Sequence, residues 1–257
     1  MLNGIFDTHA HMDDPCFIDR LDEVFKSEKE NGVIGIINSG SELSSSERSI
    51  KMADKYDFVY ASVGIYPNET ANLPDSYLMD LRQMCKNKKV VAIGEIGMDY
   101  GFEGHPDALT QEKRFREQLE LAVELGLPVV IHNREADADV LRIISDYKLK
   151  GEIHRVFSPL KYAEKFLEYG LYMGIGPQIT YPGSECLVDL VKNMPLDKLL
   201  LETDAPFLPP FHMAGEKALP SMISFVAEKI SEIRNDISAQ EILSSAHKNA
   251  KKLYNII

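Results

Sequence analysis

The sequence predicts a (β/α)₈ TIM barrel with extra C-terminal helices, an α/β fold, and three observations support it. Eight short apolar runs rich in β-branched residues alternate with amphipathic segments, as repeated strand and helix units require. Four of the seven histidines and two carboxylates end such runs, and the carboxyl ends of barrel strands meet at one mouth. A length of 257 residues with 44% hydrophobic content suits one barrel, so we expect a single domain over residues 1–257.

The apolar runs predict strands, and the segments between most of them predict helices. Strands are expected over 4–11, 32–38, 58–65, 90–95, 128–132, 151–154, 171–175 and 199–204. Helices, in which apolar residues recur every three or four positions, are expected over 17–30, 45–55, 109–125, 137–147, 161–169, 184–193, 220–233 and 238–254. Ser238 and Glu241 have the spacing of a capping box. The segment 205–219, with three prolines, is expected to overhang the mouth.

The cysteines and the N-terminus predict a cytoplasmic protein. Cys16, Cys85 and Cys186 are odd in number and widely spaced, which fits neither a disulfide framework nor a Cys-x-x-Cys metal motif. The N-terminus lacks a basic stretch followed by an apolar one, and no apolar run reaches the roughly 20 residues that span a bilayer. We therefore expect a soluble protein that is not exported and has no membrane partner. Nothing indicates an obligate protein partner.

The charge balance limits how the protein could hold a polyanion. With 40 acidic against 28 basic residues, the formal charge is −12, which argues against a broad electrostatic grip on nucleic acid. Divalent ions bound at one point would supply local positive charge. The acidity therefore does not exclude phosphate chemistry.

Six residues at strand ends are candidate metal ligands. Side chains alternate between the two faces of a strand, so that Asp7, His9 and His11 share one face. Each candidate has a simpler explanation, since paired histidines can be core partners and Glu95 or Asp204 can cap a following helix. Structural polar residues have no reason to collect at one end of five strands, which favours metal binding. The six are His9, His11, Glu95, His132, His154 and Asp204.

The chemistry of these ligands indicates two divalent metal ions. Nitrogen and oxygen donors without thiolates suit Zn, Mg, Mn, Fe or Ni rather than a closed structural zinc site, and of these we expect Zn, Mg or Mn. Six ligands exceed the need of one tetrahedral ion, whereas two ions bridged by a carboxylate would use them all and activate water for hydrolysis. The other histidines, His105, His212 and His247, are expected to be solvated.

Four runs around these residues resemble the motifs of the TatD-like metal-dependent deoxyribonucleases, a family of metallo-dependent hydrolases with a TIM-barrel fold. The runs are DTHAHMD at 7–13, GEIGMDY at 94–100, IHNREA at 131–136 and LETDAP at 201–206. The resemblance extends in order over most of the chain. It implies that one ion is held by His9, His11 and Asp204, and the other by His132 and His154.

Two carboxylates have implied catalytic roles in this resemblance. Glu95 is implied as the bridge between the ions, and Asp204 as the group that orients or deprotonates the attacking water. The strand-end position of Asp204 is compatible with that role. The implied reaction is hydrolysis of DNA, in single strands or at ends.

The substrate side departs from the family pattern at three places. The family reads Gly-x-His-Pro-His where residues 64–68 read GIYPN, so that a phenol replaces an imidazole. Residues 155–159 read RVFSP instead of Cys-Phe-Ser-Gly, and residues 215–220 read GEKALP instead of Gly-Lys-Arg-Asn-Glu-Pro, which removes an arginine suited to phosphate. An arginine beside a strand end is also often only an ion-pair partner. The candidate substrate contacts are Tyr66, Arg134, Arg155 and Lys217.

Two other functions fit the same residues. A small-molecule amidohydrolase or lactonase would use the same two ions, and the lack of a basic, aromatic-lined groove favours it. A metal-binding accessory protein that no longer turns over substrate would also retain the ligands.

Overall fold

Eight parallel strands form the centre of the molecule in the computed structural model, which describes residues 2–256 and orders the strands from β1 to β8. The strands are β1 (Ile5–Ala10), β2 (Val33–Ser39), β3 (Val59–Val63), β4 (Val90–Asp99), β5 (Val129–Arg134), β6 (Gly151–Ile153), β7 (Tyr172–Ile175) and β8 (Leu199–Leu201). The backbone N–H of Asp204 donates to the carbonyl oxygen of His9 over 2.8 Å, and Ala10 pairs with Ala205. The last strand therefore returns to the first at the mouth, and the predicted (β/α)₈ barrel is confirmed.

Helices follow the strands around the outside of the barrel. They are α1 (Pro15–Ile18), α2 (Leu21–Glu30), α3 (Leu43–Lys55), α4 (Tyr77–Met84), α5 (Ala108–Leu125), α6 (Asp137–Ile144), α7 (Leu160–Glu168), α8 (Glu185–Asn193), α9 (Ile223–Arg234) and α10 (Ala239–Tyr254). The predicted capping box is confirmed, because Ser238 and Glu241 satisfy each other's backbone N–H groups at the start of α10. No helix within residues 2–256 is long and apolar enough to cross a lipid bilayer.

The structure differs from the predicted elements mainly at three places. The expected helix over 17–30 is broken between α1 and α2, because Asp14 caps a separate short helix by accepting from the backbone N–H of Cys16 over 2.8 Å. Helix α4 was not predicted, because it has only two turns and buries only Tyr77 and Leu81. Strand β4 continues beyond the expected end to Asp99, because β5 pairs with it along this whole stretch.

The hydrophobic core has two parts. The larger part includes Val59, Leu119 and Val226 and lies between the strands and the surrounding helices. The smaller part joins alternate strand residues such as Phe6 and Val130 to the end of α10. Because side chains alternate along a strand, the barrel contributes one face to each part.

Helix α10 closes the end of the barrel opposite the mouth. The hydroxyl of Tyr254 donates to Glu152 over 2.5 Å, and the amide of Asn249 donates to the carbonyl oxygen of Leu199 over 2.8 Å. The ring of His247 stacks on Phe6 with centroids 5.6 Å apart. His247 was expected to be solvated, but it is half-buried because its imidazole packs on Phe6 at this end of the barrel.

Candidate metal centre

The structure brings the six candidate ligands together at the carboxyl ends of the strands. They come from β1, β4 and β5, from the residues that directly follow β1 and β6, and from the third residue after β8. All are buried except His11, whose side chain is 15% exposed. The cluster therefore lies at the floor of the mouth and is open to solvent through one imidazole.

Glu95 stands between two pairs of histidines. Its Oε2 lies 3.5 Å from Nε2 of His9 and 3.7 Å from Nε2 of His11. Its Oε1 lies 2.7 Å from Nδ1 of His132 and 3.0 Å from Nε2 of His154. Each carboxylate oxygen thus faces its own pair of ring nitrogens, which is the arrangement that a carboxylate needs to bridge two ions.

Asp204 adds a carboxylate to the first pair of histidines. Its Oδ1 lies 3.4 Å from Nε2 of His11 and 3.8 Å from Nε2 of His9. Its Oδ2 accepts a hydrogen bond from Nη1 of Arg155 over 3.0 Å. The residue has a left-handed φ of 59°, a conformation that is uncommon outside glycine and turns the chain out of β8 toward β1.

Three overlapping groups of donor atoms are compact enough to hold a metal ion, since the atoms of each group lie within 4.8 Å of one another. The donors are imidazole nitrogens and carboxylate oxygens, which suit Zn and comparable divalent ions. The groups are His9, His11 and Glu95; Glu95, His132 and His154; and His9, His154 and Asp204.

Three of the four histidines have a partner on the ring nitrogen that points away from the cluster. Nδ1 of His11 lies 3.0 Å from the carbonyl oxygen of Ser39, and Nδ1 of His9 lies 3.1 Å from the hydroxyl of the same serine. Nε2 of His132 lies 3.0 Å from Oδ2 of Asp99. A carbonyl or carboxylate partner can only accept, so it leaves the lone pair of the opposite nitrogen free for a metal.

Asp99 is a site residue that sequence analysis missed. Its Oδ2 also accepts a hydrogen bond from the hydroxyl of Tyr66 over 2.6 Å, while Oδ1 accepts from the backbone N–H of Gly101. The side-chain amide of Gln111 on α5 pairs with both backbone groups of Asp99 over 2.8 and 2.9 Å. The available signal was the position of Asp99, four residues after Glu95. In an extended strand, side chains four residues apart project from the same face.

Burial and neighbouring charges shift the pKa values of the ligands in opposite directions. Burial would raise the pKa of Glu95, but the charge of His154 and hydrogen bonds from the histidines outweigh it and hold this pKa well below its ordinary value. Burial would likewise raise the pKa of Asp204, but its contact with His11 lowers it. Despite burial, the facing carboxylates raise the pKa values of His11 and His132 to about 9. His11 and His132 therefore carry protons at neutral pH, and bound metal ions would displace these protons.

Buried carboxyl groups also lie below the cluster, inside the barrel. Oε1 of Glu202 lies 3.6 Å from Nδ1 of His154, too far for a hydrogen bond. Gly174 leaves the space for this side chain, because a Cβ there would lie 2.3 Å from Oε2 of Glu202. Burial raises the pKa values of Glu152 and Glu202 to about 8, so both carboxyl groups retain protons at neutral pH.

The four candidate substrate contacts are placed differently. Tyr66, Arg134 and Arg155 line a cavity of about 550 Å³ above the cluster, but Tyr66 is bonded to Asp99 and Arg155 to Asp204. Within residues 2–256, the guanidinium of Arg134 makes no hydrogen bond or ion pair. Lys217 is exposed and lies outside the residues that line this cavity.

Comparison with known proteins places the chain among metal-dependent hydrolases. A family model described as TatD related DNase matches residues 6–255. The metal-dependent hydrolase YabD of Bacillus subtilis is 34% identical over 255 residues, covering 98% of this chain and 99% of that protein. A protein of Erwinia tasmaniensis named 3'-5' ssDNA/RNA exonuclease TatD is 30% identical, covering 98% and 100%. The crystal structure of the TatD homolog YJJV from Escherichia coli has a TM-score of 0.94 at 31% identity, with 100% of both chains covered.

Proposed function

Because the chain belongs to the TatD family of metal-dependent hydrolases, we propose that it hydrolyses phosphodiester bonds of DNA at a site that holds two divalent metal ions. The position of Glu95 carries this proposal. One of its oxygens faces His9 and His11, and the other faces His132 and His154. A site for a single ion would not need both oxygens directed at separate pairs of nitrogens.

The residues around the proposed ions have distinct tasks in hydrolysis. Divalent ions such as Zn, Mg or Mn, when bound, lower the pKa of water and polarise a phosphate oxygen. Asp204 is buried and has a lowered pKa, so it is ionised at neutral pH and can accept a proton from the attacking water. Glu95 and the histidines fix the distances within the cluster. Asp204 thus serves in proton transfer, whereas Glu95 serves in positioning.

Arg134 is the best placed cation to hold a phosphate. It extends from the end of β5 to the rim of the cavity and is not paired with a carboxylate in the described part of the chain. A guanidinium can bind phosphate through two parallel hydrogen bonds. The related protein of Erwinia tasmaniensis is named an exonuclease of single-stranded DNA and RNA, which supports a single-stranded or terminal DNA substrate here.

A small-molecule amidohydrolase or lactonase is the second candidate, and the state of the other arginines favours it. Arg48 donates to Asp13 over 3.1 Å, and Arg155 donates to Asp204 over 3.0 Å. Both guanidinium groups line the cavity but are already paired with carboxylates. A small substrate without phosphate would not need them to be free.

The two candidates can be separated with one substrate panel. Purified protein loaded with Mg²⁺, Mn²⁺ or Zn²⁺ should cleave single-stranded DNA and bis-p-nitrophenyl phosphate, and lose this activity with a chelator. Lactones and N-acyl amino acids should be turned over far more slowly. Turnover of one of these small molecules with no cleavage of either phosphodiester would refute the nuclease and favour the amidohydrolase. Glu95→Ala serves as the inactive control.

A further inference from the structure

A second cavity of about 370 Å³ adjoins the metal centre on the side of strands β5 to β8. It shares His132, Arg134, His154 and Arg155 with the cavity above the metal ligands. Away from the metal centre it continues between Phe157, Gln178 and Tyr181. A group attached to a substrate at the metal centre can therefore enter it directly.

Gln178 is the unusual residue of this cavity. It lies in the 3₁₀ turn Pro177–Thr180 that follows β7, and it is only 6% exposed. Neither Oε1 nor Nε2 of its side-chain amide has a hydrogen-bond partner within the described residues. Most buried polar side-chain atoms in proteins are paired, so a buried amide with a free donor and a free acceptor indicates a place where a ligand pairs with it.

The backbone beneath Gln178 is shaped to accommodate the amide. A Cβ at Gly176 would lie 2.7 Å from Oε1 of Gln178 and 3.3 Å from the carbonyl oxygen of Glu202. Any larger residue at this position would therefore displace the amide or the chain. The glycine therefore leaves the space that the amide oxygen occupies, and Gln178 itself lines the cavity that adjoins the metal centre.

Two aromatic rings border the same cavity. Phe157 is 56% exposed, although a large apolar side chain is usually covered. The hydroxyl of Tyr181 donates to the carbonyl oxygen of Pro209 over 2.8 Å, and its ring packs edge-on against Phe211 with centroids 5.3 Å apart. One ring is thus open to a ligand, and the other is held in place.

We propose that this cavity binds the base of the nucleotide next to the scissile phosphate, an inference that rests on the proposed phosphodiesterase. Unstacked bases are recognised by hydrogen bonds to their edges and by stacking on aromatic rings. The amide of Gln178 supplies one donor and one acceptor for a base edge, and Phe157 supplies an exposed ring face. Arg134 lines both cavities, so it lies where the phosphate of the same nucleotide would pass.

Direct binding tests the base site without turnover. Metal-loaded protein is titrated by calorimetry with thymidine 5'-monophosphate and with 2-deoxyribose 5-phosphate, which lacks the base. Wild type should bind the nucleotide about tenfold more tightly, a modest value for one base-edge pair. Gln178→Leu, which keeps the size of the side chain but removes both hydrogen-bonding atoms, should lose most of this preference. Equal affinities for the two compounds in wild type would overturn the proposal.

Two further variants keep the binding test decisive if Gln178→Leu folds poorly. Phe157→Ala changes an exposed residue and should weaken nucleotide binding more than sugar phosphate binding, even if Gln178→Leu folds poorly. Gln83→Leu, on the exposed side of α4, is the matched control and should retain the wild-type preference. Metal content is measured for every protein. Unchanged preference in both Gln178→Leu and Phe157→Ala would overturn the base site.

Cleavage assays separate this proposal from the proposed function. The ratio of kcat/KM on an oligonucleotide to kcat/KM on bis-p-nitrophenyl phosphate should fall about tenfold in Gln178→Leu, whereas an oligonucleotide with an abasic end should show no such fall. An unchanged ratio in a protein that cleaves both substrates would refute the base site and retain the phosphodiesterase. If the protein cleaves neither substrate but still prefers the nucleotide in a way that depends on Gln178, the base site would be retained and the phosphodiesterase refuted.

Discussion

The two sides of the barrel mouth differ in how their polar groups are paired. On the side of β1 to β4, Asp13 accepts hydrogen bonds from Asn38 and Arg48 over 3.0 and 3.1 Å. On the same side, Asp99 accepts from Tyr66 over 2.6 Å and lies 3.0 Å from a ring nitrogen of His132. These contacts hold the side chains in place, and the contact of Asp99 also orients the candidate metal ligand His132.

On the side of β5 to β8, more buried polar atoms remain unpaired. Within residues 2–256, Gln178 lacks partners for both amide atoms and Asn133 lacks one for Oδ1, whereas the first side has one such atom, Oδ1 of Asn68. The second side also contains paired groups, since Arg155 pairs with Asp204 and Nδ2 of Asn133 donates to Asp137 over 2.6 Å. Buried polar groups without partners are costly, so the difference indicates that the first side holds the ligands in place and the second side receives substrate.

The largest effect is expected at Glu95, where the two sides meet. Because each of its oxygens faces one pair of histidines, Glu95→Ala should release metal from both pairs and abolish activity, while His154→Ala should release less metal. Elemental analysis after reconstitution measures the metal, and bis-p-nitrophenyl phosphate measures the activity. Equal metal content in wild type and Glu95→Ala would contradict the bridge and remove the link between the two sides.

Asp204 tests whether its ion pair with Arg155 leaves it free for catalysis. Asp204→Asn keeps an oxygen that can face a metal but no longer accepts a proton, so kcat should fall by about 10²- to 10⁴-fold with a smaller change in KM. Steady-state kinetics at equal metal content measures this. Turnover that survives within about tenfold, which is about 1.4 kcal/mol in barrier, would show that Asp204 is not the base.

Sequence spacing predicted the barrel and the clustering of the candidate ligands better than it predicted the residues that support them. Histidines and carboxylates at strand ends indicated the mouth because parallel strands share one polarity. The pairing of Asp99 with His132 depends on the register of β4 and β5, which aligns Asp99 with Arg134, and no spacing along one chain specifies it. The left-handed backbone at Asp204, with φ of 59°, accompanies the hydrogen bond that joins the end of β8 to β1, a contact between residues far apart in the sequence.

Asp99 tests whether the paired side controls metal binding. Asp99→Asn should weaken metal binding by about tenfold to a hundredfold, as is typical when the partner of a ligating histidine is changed. Tyr66→Phe should have a smaller effect, because it removes one hydrogen bond of about 1 kcal/mol and leaves the carboxylate. Chelator competition measures the affinity, and Asp75→Asn on the surface is the control. Equal affinity in Asp99→Asn and wild type would show that His132 needs no partner.

The last prediction concerns how the free energy of unfolding of the metal-free protein depends on pH. It compares the candidate ligands with the carboxyl groups beneath them. Folding raises the pKa values of His11 and His132 from 6.5 to about 9, so their contribution is complete below pH 6.5 and is lost as pH rises through about 9. Glu152 and Glu202, raised from 4.5 to about 8, lose their contribution as pH rises through about 8. The free energy of unfolding should therefore fall between about pH 6.5 and about pH 9.

Urea denaturation with a chelator present measures this fall, and bound metal should oppose it. A metal ion excludes protons from the histidines, so metal binding should strengthen over the same pH range. Glu202→Gln removes one carboxyl group below the cluster, so the fall should become smaller, and what remains reports the two histidines and Glu152. A metal-free protein whose free energy of unfolding stays constant or increases toward pH 9 would show that the raised pKa values of these groups do not govern its stability.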